Sequence, residues 1–123
     1  MLRFGSEPFL ECSSKGERRL SAFSARIARR GGKTIEELYQ GFKLFDGFIG
    51  GLSPKEAKGK VAINQADCRM FYSLLWDEFF KENPDLIDMV KSYNGFSDIF
   101  GQAGHACQAE EIYRIVMKER NRV

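Results

Sequence analysis

Apolar residues in this chain recur mostly at helical spacing. Ile35, Leu38, Tyr39, Phe42 and Phe45 follow one another three or four positions apart, which sets them on one stripe of a helix. At its head, Thr34-Ile35-Glu36-Glu37 has the form of a capping box, in which the threonine hydroxyl and the glutamate three residues on satisfy the first free amides. Asp46-Gly47 and Gly50-Gly51 stop that helix. Ser53-Pro54-Lys55-Glu56 predicts a second capping box, with proline at the first helical position and a short helix ending at Gly59. Asn64 can cap the longest helix, over 65–82, with Met70, Phe71, Leu74, Leu75 and Phe79 as its apolar positions and Trp76 beside them. Asn83-Pro84 ends it and starts another through Leu86, Ile87, Met89 and Val90, which Asn94-Gly95 closes. A last helix over 107–120 turns Ile112, Ile115 and Val116 inward.

Strand signal is weak and sits near the N-terminus. Residues 6–12 have room for a short strand, 13–19 form a polar basic loop, and 20–28 alternate weakly before the breaker Gly31-Gly32. Phe96 to Gly104 has the composition of a loop. The expected fold class is therefore mainly α, or α-rich α+β with a few short N-terminal strands. No repeat and no Pro/Ser-rich linker divides the chain, so a single domain is expected over 1–123.

A chain of 123 residues can bury a core without disulfide or metal staples. Phenylalanine is over-represented, with 11 residues. Each buried ring contributes about 1.5–3 kcal/mol, so the core is expected to be built around them. Cys12, Cys68 and Cys107 are an odd, widely spaced set without a Cys-x-x-Cys pair, which predicts reduced thiols rather than a disulfide framework or zinc site. No apolar stretch approaches the ~18 residues a membrane span needs. The N-terminal residues lack the long apolar stretch of a signal peptide, so the expected location is the cytoplasm.

The net charge of +2 hides an asymmetry. Residues 1–33 hold Arg3, Lys15, Arg18, Arg19, Arg26, Arg29, Arg30 and Lys33 against Glu7, Glu11 and Glu17, which makes +5, and the remainder is acidic. A basic third suits either an anionic partner (nucleic acid, nucleotide or phosphate-bearing metabolite) or a solvated loop. The interleaved Phe23 fits phosphate or nucleic-acid binding without specifying it.

Two places have residues suited to chemistry. On the Thr34 helix, Glu36, Gln40 and Lys43 stand at i, i+4 and i+7 and share one face, roughly a third of a turn from the apolar centre. That position suits either a pocket wall or a surface row that steadies the helix. In the segment 96–105, Asp98, Gln102 and His105 stand among glycines that permit close backbone approach to a ligand. His105 is the only histidine, so a two-histidine metal site is ruled out. No Gly-x-Gly-x-x-Gly or P-loop occurs, and no cofactor is expected.

Taken in order, these segments resemble the NADAR family, also called YbiA-like. Leu20-Ser21-Ala22-Phe23, then Gly32-Lys33-Thr34-Ile35-Glu36, Gln40 and Lys43, resemble its Leu-Ser-Asn-Phe turn, Gly-Lys hairpin and Glu-His-x-x-x-Gln-x-x-Lys helix. Ala57-Lys58-Gly59-Lys60 is similar to its Ala-Lys…Gly-Arg segment, and Asn83-Pro84 to its Asn-Pro helix junction. Asp98-Ile99-Phe100-Gly101 with Gly104, followed by Ile112 to Arg120, resembles its closing motifs. Glu37 stands where the family has histidine, and Phe100 where it has tryptophan.

The resemblance implies an N-glycosidase-like hydrolase that cleaves a ribosyl–nitrogen bond in an anionic nucleotide-like substrate or an ADP-ribosylated base. It implies Glu36, Lys43 and Asp98 as catalytic residues. Gln40, Arg18, Arg19, Phe23, Arg26, Phe100 and Gly101 would then hold the substrate. The alternative is a catalytically inactive nucleic-acid-binding or regulatory protein of the same fold.

Overall fold

The structure, a computed structural model, describes residues 1–43 and 63–122. Phe45, Asp46-Gly47, Gly50-Gly51, the capping box at Ser53–Glu56, its short helix and the segment Ala57–Lys60 lie outside the described residues. The strands are β1 (Leu2–Gly5), β2 (Phe9–Glu11), β3 (Arg26–Ile27), β4 (Lys33–Thr34) and β5 (Gly95–Asp98). The helices among the described residues are α1 (Ile35–Phe42), α2 (Gln65–Glu82), α3 (Pro84–Val90) and α4 (Gln108–Arg120). The chain is thus α-rich α+β.

The helix ends follow the local chemistry. Thr34 Oγ1 accepts from the Glu37 N–H at 3.1 Å, and the Glu37 carboxylate accepts from the Thr34 N–H at 3.1 Å, which completes the expected capping box. Pro84 opens α3, where its missing N–H removes a donor that would have had no partner in the helix. On α4, Ile112, Ile115 and Val116 are buried as the spacing predicts.

The α2 face differs from expectation. Tyr72, Leu75, Trp76, Phe79 and Phe80 are buried, while Met70 and Leu74 are exposed. Apolar residues lie on several sides of this helix, so periodicity alone selects no single face. Packing against α1, α4 and the β3–β4 hairpin decides it.

The loop expected from Phe96 contains a strand. β5 is the centre of a three-stranded sheet ordered β1-β5-β2, antiparallel to β1 with Phe4 opposite Phe96, and parallel to β2 with Leu10 opposite Phe96. All four β5 residues are buried, so the half-buried alternation that betrays a surface strand is absent. β3 and β4 form a separate hairpin. Its turn includes Gly31 and Gly32 at φ 73° and 72°, in the left-handed region where glycine carries no Cβ penalty.

The core centres on Trp76, fully buried, with edge-on contacts to Phe79 at 5.5 Å and Tyr72 at 6.4 Å. Leu20, Ile27, Ile35, Leu75, Phe96 and Ile112 complete it. Of the phenylalanines, Phe79, Phe80 and Phe96 are buried, whereas Phe23 and Phe100 are 69% and 61% exposed. A core built on phenylalanine is therefore only part of the outcome, because Phe23, Phe42 and Phe100 are left exposed.

Candidate functional site

Phe23 and Phe100 line the same cleft, of about 270 Å³. Three stretches of chain converge there. The turn after Leu20 supplies Ala22 and Phe23, the first turn of α1 supplies Glu36, and the end of β5 supplies Asp98, Phe100 and Gly101. Tyr72 of α2, the loop residues Gln102, His105 and Ala106, and Gln108 at the start of α4 close the lining.

Backbone bonds fix the junction between the first two walls. The Ile35 N–H donates to the Ala25 carbonyl at 2.9 Å and the Glu36 N–H to the Ala22 carbonyl at 3.0 Å. These are amides that a helix start leaves without internal partners. The same contacts that finish the helix therefore set Glu36 beside Phe23. The Glu36 side chain is steadied by Gln40, whose Nε2 donates to Oε1 at 2.7 Å. Gln40 does not line the cleft.

Asp98 is buried at the end of β5, only 5% exposed. Its Oδ1 accepts from the Phe100 N–H at 2.9 Å, and the Cys107 thiol lies 3.8 Å from Oδ2. Burial pushes its carboxyl above the usual aspartate range against the opposing pull of the Phe100 N–H, and the nearby Glu11 carboxylate adds to the rise. Glu11 is itself engaged, accepting from the Ser97 hydroxyl at 2.8 Å and the Ile99 N–H at 3.0 Å, which locks the exit of β5. The cleft thus presents two carboxyl groups, Glu36 and an Asp98 whose pKa burial raises. Such a combination can give up a proton on one side while supplying negative charge on the other.

Other residues named from the sequence sit elsewhere. The Lys43 ammonium lies 4.8 Å over the Tyr39 ring and is not part of the cleft lining. Arg19 pairs with Glu17 at 2.6 Å, Arg18 reaches the Ser14 carbonyl at 3.4 Å, and Arg26 donates to the Gly32 carbonyl at 2.8 Å. None of the three lines the cleft. Glu37 is exposed and occupied by the capping box.

Gln108 and Tyr72 are cleft residues that sequence reasoning missed. Gln108 did leave a signal, being a polar residue four positions before Ile112 on the stripe that continues to Ile115 and Val116. The three cysteines are free and buried, and burial raises each thiol, which keeps them in the unreactive form. Among the described residues, no group of His, Cys, Asp or Glu is arranged to hold a metal ion, and no helix is long and apolar enough to cross a membrane. Comparison with protein-family models and with curated proteins returned no match.

Proposed function

We propose that this chain is an N-glycosidase-like hydrolase, a divergent relative of the NADAR group, that cleaves a ribosyl–nitrogen bond in a nucleotide-like or ADP-ribosylated substrate. The observation that carries this reading is the meeting of Glu36 and Asp98, 62 positions apart in sequence, in one cleft with two exposed aromatic rings. Heterolysis of a C–N glycosidic bond leaves positive charge on the ribose and a basic nitrogen on the leaving group. Asp98, held toward its neutral form by burial, donates its proton to that nitrogen. Glu36 faces the developing charge and then takes a proton from the water that adds to the anomeric carbon. Glu36 then releases that proton to solvent and Asp98 recovers one from solvent, so the balance is one water consumed with free base and ribose product released. Phe23 and Phe100 offer faces for a planar heterocycle, a contact of about 1–3 kcal/mol per base.

Gln40 serves by holding Glu36. Lys43 is left out of the chemical step because its ammonium rests on Tyr39. Arg18, Arg19 and Arg26 meet a phosphate only where the substrate extends beyond the cleft. The test is release of free base from a panel of ribosylated nucleotides, including ribosylaminopyrimidine phosphates and ADP-ribosylated guanine nucleotides. Wild-type protein is expected to release base, Glu36→Gln and Asp98→Asn to lower the rate by about 10²–10⁴, and Lys43→Ala to keep most of it. No release from any compound overturns the enzyme reading. Unaltered rates in both carboxyl variants overturn the residue assignment.

A further inference from the structure

Two buried side chains of the cleft hold donors for which the described protein supplies no acceptor. Tyr72 is 4% exposed and lines the cleft. Burial raises its hydroxyl well above the ordinary tyrosine value, so it stays an O–H at neutral pH. Among the described residues nothing accepts from that O–H. The Trp76 indole N–H, one helical turn on, is buried and makes no hydrogen bond of its own. The two rings meet edge-on at 6.4 Å, and the indole N–H acts on the Tyr72 oxygen. An oxygen that faces a donor in the core turns its own hydrogen the other way, toward the cleft. Gln108 supplies the second donor. It is 7% exposed and lines the same cleft. Its Oε1 accepts from the Ala22 N–H at 2.7 Å, which fixes the carboxamide and leaves Nε2 at the opposite side. Asp98 stands near enough to feel that N–H, but no contact of hydrogen-bond geometry joins the two. Donors held this deep are costly to leave unanswered.

We propose that Tyr72 and Gln108 are specificity-determining residues whose donors read a ring carbonyl oxygen, so that the cleft takes an oxo-substituted heterocycle in preference to an amino-substituted one such as adenine. A carbonyl oxygen has two lone pairs and no hydrogen of its own, so it answers either donor or both. The amino group of adenine sets N–H against O–H and N–H, and leaves both buried donors unpaired. A site built to hydrogen-bond one group rejects the analogue without it for this reason. Phe23 and Phe100 do not make the distinction, because stacking accepts any planar base. The inference rests on the hydrolase reading for placing a ribosylated base in this cleft. Its test uses bases with no glycosidic bond to break, so binding and turnover can fail separately.

The probes are 9-methylhypoxanthine and 9-methyladenine, which present an oxo and an amino group at the same ring carbon. Each is titrated into the full chain and followed through the amide and indole resonances by NMR. Wild-type protein is expected to bind the oxo probe at least about tenfold more tightly. Tyr72→Phe keeps the ring against Tyr39 and Trp76. It should weaken the oxo probe by about 3–10-fold, the net worth of one hydrogen bond, and hardly change the amino probe. Gln108→Glu keeps an acceptor for Ala22 and turns the second donor into an acceptor, so it should move the preference toward adenine. Trp76 is the only tryptophan, and its indole N–H should shift when wild type binds the oxo probe and stay still in Tyr72→Phe. Equal affinity for the two probes in wild type, or no binding of either, overturns the proposal without any variant having to fold. So does an oxo preference that survives in both variants, or a Trp76 shift undiminished in Tyr72→Phe.

Discussion

Burial shapes Asp98 more than its hydrogen bonds do, since loss of solvation is the largest influence on its carboxyl and outweighs the N–H of Phe100. The sign of the resulting pH dependence follows. A carboxyl whose folded pKa lies above its unfolded value binds more protons in the folded state. Its stabilising contribution is complete below the unfolded pKa and is lost as pH rises through the folded pKa. Asp98→Asn keeps an acceptor for Phe100 and removes the charge. It is expected to match or exceed wild-type stability at about pH 7, with the advantage shrinking in acid, as read from urea unfolding at both pH values. An asparagine variant that loses more stability at neutral pH than in acid would contradict this account. Much of the site was legible residue by residue. Glu36 came from the edge of a helical stripe, Asp98 from a glycine-flanked segment, and Phe23, Phe100 and Gly101 from the motif resemblance. Lys43 was expected on the helical face of Glu36, but α1 ends at Phe42 and Lys43 follows it in extended backbone, so helical spacing no longer applies there and its ammonium lies over Tyr39.

At the scale of elements, the signals that survived were those written into the backbone's own hydrogen-bonding needs. The Thr34 box, the start of α3 at Pro84 and the span of α2 were all legible, because caps and breakers act locally. β5 was not, because a four-residue centre strand buried throughout has no alternation, and its pairing depends on β1 and β2, some 90 residues away in sequence. This matters for the site, since Asp98 is the end of a strand held on both edges and not a loop residue free to move. The Thr34 cap has a similar role for the opposite wall. It opens α1 two residues before Glu36, and Thr34 is itself buried. Thr34→Ala should therefore cost about 1 kcal/mol, within the range of roughly 0.5–2 for lost N-caps, measured by chemical denaturation. An unchanged unfolding midpoint would show that the α1 start is held by the Ala22 and Ala25 carbonyls alone.

Over the whole molecule, the charge asymmetry so plain in the sequence is partly spent internally. Arg19 meets Glu17, and the 28–30 turn is fastened to α2 by Arg30, bidentate on Glu78 at 2.7 Å, and by Arg29 near Glu82 at 3.9 Å. Glu78 and Glu82 come from the acidic remainder of the chain, so only folding brings them to the basic third. Summing charge along a sequence could not reveal this. The same fastening seats the β3–β4 hairpin over the helix that carries Trp76. Trp76 then joins core to cleft, since its fully buried ring meets Tyr72, which is part of the cleft lining. Trp76→Ala should cost about 3–5 kcal/mol, the range for truncating a large buried aromatic. Against a total of roughly 5–15 kcal/mol for a domain, that is a large share. At this size each kcal/mol lowers the midpoint by about 3–6 °C, so thermal unfolding should fall by at least about 10 °C. A drop below about 5 °C would mean that the neighbours collapse onto the void. The contact between Trp76 and Tyr72 would then not be what keeps the cleft floor in place.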